Sequence, residues 1–293
     1  MRNLQEKVEY IYDKIFSEAV KKNIEKATLW ISIIGFIAHL LLIYGKKFEL
    51  FTLPFETDLL NNPISAIYTP FTIILIYEIY LLVVNLPRSF TTSVLKQFEI
   101  ISLILIRRIF ADIPKIDLKA AWFSTPANVQ LIYDVLGVLI LYYLIYLFNK
   151  SRQLSPKKCA HPNVESFVTS KKAISLVLFL LLIIISFTTA FNWCFDVYSG
   201  VITENINAIF YNEFFSILIL TDVFILLLSF QYTESYTKII RNTGFIICTI
   251  LIRLSFGVAG LTNVVLIISS VLFGLLILSI YNLSEKPLKE VQE

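Results

Sequence analysis

Apolar side chains gather into eight long stretches, at 28–44, 64–86, 90–111, 129–148, 173–193, 206–230, 243–258 and 261–281. Most approach the ~20 residues a helix needs to cross ~30 Å of hydrocarbon. The pattern predicts an all-α polytopic membrane protein with about eight transmembrane helices. Polar punctuation separates the stretches. Pro87-Arg88 makes a very short turn between the second and third, and Gly257 and Gly260 mark the break between the seventh and eighth. A proline at such a point suits a helix boundary. The third and seventh stretches are the weakest. Lys96, Gln97, Glu99, Arg107 and Arg108 fall inside one, and Arg253 falls inside the other.

Residues 1–27 are too charged, and too poor in apolar residues, for a cleavable signal peptide. Leu4, Val8, Ile11, Ile15 and Ala19 instead share one face of an amphipathic helix. Such a helix either lies on the inner membrane surface or serves as a docking or self-association element for a protein partner. Lys and Arg in the loops set the orientation. Seventeen fall on one side, within 1–27, 149–172 and 282–293 and at Arg88, Lys238 and Arg241. Only Lys46, Lys47, Lys115 and Lys119 fall on the other. This bias and the even number of spans agree on cytoplasmic N and C termini. The expected organisation is an interfacial helix (1–27), a four-helix half (28–148), a basic cytoplasmic loop (149–172), a second four-helix half (173–281) and a cytoplasmic tail (282–293).

Composition sharpens this picture. The chain is 57 % hydrophobic and 16 % charged, with mean hydropathy +0.74. Soluble domains hold about 45–50 % apolar and ~25 % charged residues, so this excess needs a second solvent. A net charge of +3 with no basic run among exposed aromatics gives no footing for nucleic acid. Cys159, Cys194 and Cys248 are too scattered for a disulfide framework or a CxxC pair. Abundant Ile, Lys, Asn and Phe with only eight Gly fit an AT-rich bacterial genome, and hence a multi-pass protein of the cell (inner) membrane.

The charges inside the apolar stretches are the candidate chemistry. An ionised side chain in hydrocarbon costs roughly 2.5–3.5 kcal/mol on insertion scales, so it is normally paired or lines a wet cavity. Matching Cα depth at ~1.5 Å of rise per residue puts Glu78, Lys96 and Glu99 in one inner cluster. It puts Arg107 and Arg108 level with Asp134 near the outer end, and Glu213 level with Arg253. Asp222 is left with no basic partner at its level, so burial would raise its pKa. Glu78, Lys96, Glu99 and Asp222 are therefore the expected proton or cation site. Arg107, Arg108, Asp134, Glu213 and Arg253 are expected to be charge-paired. Tyr77 and Tyr80 flank Glu78 within hydrogen-bonding reach of that cluster.

Phe71–Phe110 can be laid over Phe215–Phe256 with a two-residue insertion. Each copy has an acid seven residues after its first Phe, a short polar connection, and a run closing on Ile-Arg. The offset equals four spans, which predicts two parallel four-helix repeats.

Other chemistry is thin. His39, between Ala38 and Leu40, reads as a hydrogen-bonded core residue, and His161 and Cys159 are too isolated for zinc. No dinucleotide, phosphate-loop, zinc-protease or serine-hydrolase motif occurs. No cofactor or metal is expected, and an enzyme is the least supported class. The buried charges favour a transporter or channel-like protein for a small ion or solute. The alternative is a membrane-embedded sensor, anchor or effector acting through a protein partner. The lipid bilayer is the expected surrounding in either case.

Overall fold

A computed structural model describes residues 2–49, 60, 62–113, 116, 122–155, 162–198, 206–232, 235–258 and 260–285. Within these, the side chains of 2–4, 111, 162–164, 190, 193–198 and 206–213 lie outside the described set. Capping chemistry fixes several helix starts. Ser17 closes α1 (Arg2–Ile15) and caps α2 (Glu18–Lys47), its Oγ accepting from the Val20 amide at 3.3 Å. Asn62 accepts from the Ile64 amide and starts a 3-10 turn (Pro63–Ile67) that runs into α3 (Tyr68–Asn85). Ser89 caps α4 (Phe90–Asp112) across the short Pro87-Arg88 connection. Pro126 opens α5 (Pro126–Gln153), where the missing amide costs nothing. Then follow α6 (Pro162–Tyr198), α7 (Ile206–Phe230), α8 (Tyr236–Ser255) and α9 (Leu261–Glu285). Gly260 supplies the left-handed φ of 75° just before α9.

The described residues are helical, with no strand among them. Five helical segments are long and apolar enough to cross a membrane: Gln5–Lys47, Pro63–Asn85, Pro126–Gln153, Glu165–Thr189 and Leu261–Glu285. In α7 the residues with described side chains, Phe214–Phe230, form a shorter apolar segment. The more charged α4 and α8 pack among these helices. Large apolar side chains such as Trp30, Leu41, Leu139 and Phe187 stay more than 60 % exposed on the outside. So much outward apolar surface suits hydrocarbon rather than water.

Helices α2 to α5 pack in sequence order, and so do α6 to α9. The two sets meet through α5 with α9, α4 with α8 and α3 with α6. Phe98, Phe148 and Phe245 bring rings from α4, α5 and α8 to one point, at centroid distances of 5.2 and 5.9 Å. One end of the bundle, the basic end, gathers Arg88, Arg152, Lys171, Lys172 and Arg241. There Lys171 donates to the Arg88 carbonyl, and Asn282 and Ser155 bond between α9 and the end of α5.

The structure refines the expectations for both ends of the basic segments. Much of the 149–172 loop is helical, because α5 runs to Gln153 and α6 already begins at Pro162. The first 27 residues are not one helix, because the Ser17 cap interrupts it and places Ala19 on α2. Of the expected stripe, the Leu4 side chain lies outside the described residues and Ile15 packs against the core. The Gln5, Glu9, Tyr12 and Phe16 face docks on α3 and α6, and Ile11 stays exposed. Phe16 sits between Tyr80 and Phe179, and Lys172 pairs with Asp13 at 3.3 Å. Aromatic burial and polar bonds thus add to the contact that Ile15 makes.

The α5–α9 contact is close at Gly137. A Cβ there would lie 2.5 Å from Val264 Cγ1. Gly137→Val is expected to destabilise the bundle by about 1–3 kcal/mol, as overpacking does. A lower thermal midpoint in detergent micelles checks this.

Candidate functional site

Three arginine–acid pairs, two of them buried, tie neighbouring helices together. Arg107 Nη2 lies 2.6 Å from Glu78 Oε2, and its Nη1 donates to the Phe71 carbonyl at 2.5 Å. Arg108 holds Asp134 by two bonds, of 2.8 and 2.5 Å, and Gln130 donates to the same carboxylate at 2.8 Å. Arg253 Nη1 donates to Asp222 Oδ2 at 2.6 Å, and Thr249 Oγ1 donates to that oxygen at 2.9 Å.

One geometric rule produces all three. A helical side chain leans toward the N-terminus of its own helix. The arginines stand on α4 and α8, which start at the basic end. Their acids stand on α3, α5 and α7, which start at the opposite end. In each pair the two side chains therefore lean toward one another. This corrects the pairing expected from Cα depth, which ignored the lean. Glu78 meets Arg107 rather than Lys96 and Glu99, and no inner cluster of the three forms. Lys96 Nζ instead bonds Glu99 one turn along α4, at 2.5 Å on a half-exposed face. Asp222 is not unpartnered, because Arg253 holds it. Glu213 lies on α7 with its side chain outside the described residues. Asp134 pairs with Arg108, as its depth suggested.

At the Asp222 site the two halves share a buried polar network. Arg253 Nη2 donates to Gln97 Oε1 of α4 at 3.0 Å, so one guanidinium links α7, α8 and the first half. Arg253 and Asp222 are both less than 5 % exposed. Beside them is a cleft of about 10 Å³, with Ser93, Gln97, Lys171 and Asp222 among its lining residues. That is room for roughly one water.

Lys171 was missed as a site residue, since it reads as one of several loop lysines. It is buried, with Nζ 2.9 Å from the Arg88 carbonyl and 4.4 Å from the Phe90 ring centroid. A lysine lying one turn before the apolar run, rather than at the tip of the loop, was the available signal. Thr249 was missed because nothing in its local pattern separates it from other small residues. Tyr77 and Tyr80 stack on each other at 6.0 Å instead of serving Glu78. His39 Nδ1 is 2.6 Å from Thr69 Oγ1, so it is hydrogen-bonded, though half-buried rather than in the core. His161 and Cys159 lie outside the described residues. Among the described residues, no group of His, Cys, Asp or Glu could hold a metal ion.

With this geometry in hand, comparison with known protein families, curated proteins and solved structures finds no match.

Removing one member of a buried pair strands the other charge and costs about 3–5 kcal/mol, while removing both costs far less. Asp222→Asn and Arg253→Gln are therefore each expected to destabilise strongly. The double variant should fall well short of their sum. A double-mutant cycle on thermal unfolding in detergent measures that coupling.

Proposed function

We propose that the chain crosses the cell (inner) membrane eight times, as two four-helix halves of the same orientation with cytoplasmic termini. On this reading it moves a small ion or solute along the seam between the halves. The observation that carries the reading is the Asp222–Arg253–Gln97 network, a buried acid beside a water-sized cleft where the halves meet.

The internal repeat supports the two-half architecture. The ring pair Phe71–Phe110, at 5.5 Å, corresponds to Phe215–Phe256, at 5.4 Å. The ion pair Glu78–Arg107 corresponds to Asp222–Arg253, each at 2.6 Å. The stretch Ile31–Phe36 (ISIIGF) also resembles Ile174–Phe179 (ISLVLF). The two copies have diverged in use. Arg107 spends its second nitrogen on a carbonyl of its own half, whereas Arg253 reaches across to α4.

The described arrangement is the closed one. Opening the seam means parting Arg253 from Gln97, which a proton or cation arriving at Asp222 favours by weakening the Asp222–Arg253 attraction. Lys171 stands at the basic end of the cleft as a second cation for Asp222. Asp222→Asn is expected to lower flux of the purified protein in liposomes about tenfold or more, given the several kcal/mol at stake in a buried pair. Glu78→Gln, away from the seam, should change it less. Absence of flux in the wild type, or unchanged flux in Asp222→Asn, overturns the reading.

A second reading, a sensor or anchor acting through a protein partner, draws on α1. That helix is pinned to α6 through Glu9, Asp13 and Lys172, yet Tyr10 and Ile11 stand clear of the bundle. Deleting residues 1–26 should then release a co-purifying soluble protein.

A further inference from the structure

The Lys96–Glu99 pair has no role in the seam and sits in an unusual place. Side chains of both residues are more than a third exposed, on a helix whose other faces are covered by α3, α5 and α8. Leu103, Ile106 and Phe110 continue the same stripe and are also exposed. The spacing from Lys96 through Glu99, Leu103, Ile106 and Phe110 is three, four, three, four. That is the heptad spacing of a helix seam that packs against another helix. The stripe is narrow, because its neighbours Leu95, Ile100 and Ile104 are buried against the rest of the bundle.

Lipid alone would suit Leu103, Ile106 and Phe110, but not two ions. Charges on a lipid-facing surface are costly and are normally covered by protein or water. Lys96 also does not reach toward the nearer, basic end of α4, as a lysine seeking the headgroup region would. Its ammonium turns to Glu99 instead.

We propose that this face of α4 is the interface of a homodimer, with the α4 helices of two copies side by side about a two-fold axis. The stripe is self-complementary, as a two-fold interface requires. Its apolar positions meet their own copies. At the charged end, Lys96 of each copy faces Glu99 of its partner, and the ion pair within each chain becomes a ring of four alternating charges. The proposal needs α4 to lie within the bilayer and does not depend on transport along the α4–α8 seam.

Charge reversal tests it. In lipid nanodiscs or native membranes the wild type is expected to be dimeric, and Lys96→Glu and Glu99→Lys each monomeric when expressed alone. Both substitutions break the pair within the chain, so neither can recover by itself. Co-expressed, the two chains carry opposite charges at positions 96 and 99 and are expected to form a heterodimer, read by pulling on a tag carried by only one of them. Leu103→Cys, with the three native cysteines replaced, should cross-link under mild oxidation. Leu139→Cys, on the exposed face of α5, should not. A monomeric wild type, dimers that survive both reversals, co-expressed chains that fail to pair, or equal cross-linking at 103 and 139 would each overturn the proposal. A dimeric protein without flux would leave the interface intact and remove only the transport reading.

Discussion

An arginine buried among apolar helices has to find an acid, and the lean of helical side chains decides which acid it can find. A guanidinium left alone in a low-dielectric interior costs several kcal/mol, and it cannot shed its proton to escape. In this chain the arginines ride on helices that begin at the basic end, and their acids ride on antiparallel neighbours. The α3–α4, α4–α5 and α7–α8 contacts are thus registered by charge as well as by shape. Slipping any of these hairpins by one turn would strand two ions at once.

The same constraint organises the centre of the molecule. Arg108 holds Asp134 by two bonds, and Arg107 holds Glu78 and a backbone carbonyl. Arg253 divides its nitrogens between Asp222 and Gln97, so it ties one half to the other by side chain. Close packing surrounds these polar points. Gly137 admits Val264, and Gly274 lies against Phe98 and Cys248, so α9 seats against α5 and the core.

The basic end carries a separate set of ties. Lys171 is held by a carbonyl and two aromatic rings, Lys172 by Glu9 and Asp13, and Asn282 by Ser151 and Ser155. Side chains that read as positive-inside signals are thereby partly consumed in fixing α1 and the helix ends.

Sequence by itself determined the helical, lipid-suited character of the chain, because the length and apolarity of a span are local properties. It also located α2 through α9 to within a few residues at many ends, and it singled out Glu78, Arg107, Arg108, Asp134, Asp222 and Arg253 as residues needing partners. Tertiary structure alone decided the pairing. Cα depth joined Glu78 to Lys96, but side-chain direction gave it to Arg107, and Asp222 gained the arginine that depth had assigned to Glu213. Lys171, Gln97 and Thr249 entered the Asp222 neighbourhood only when three-dimensional packing brought α4, α6, α7 and α8 together, since no interval along the chain encodes which faces of separate helices will meet.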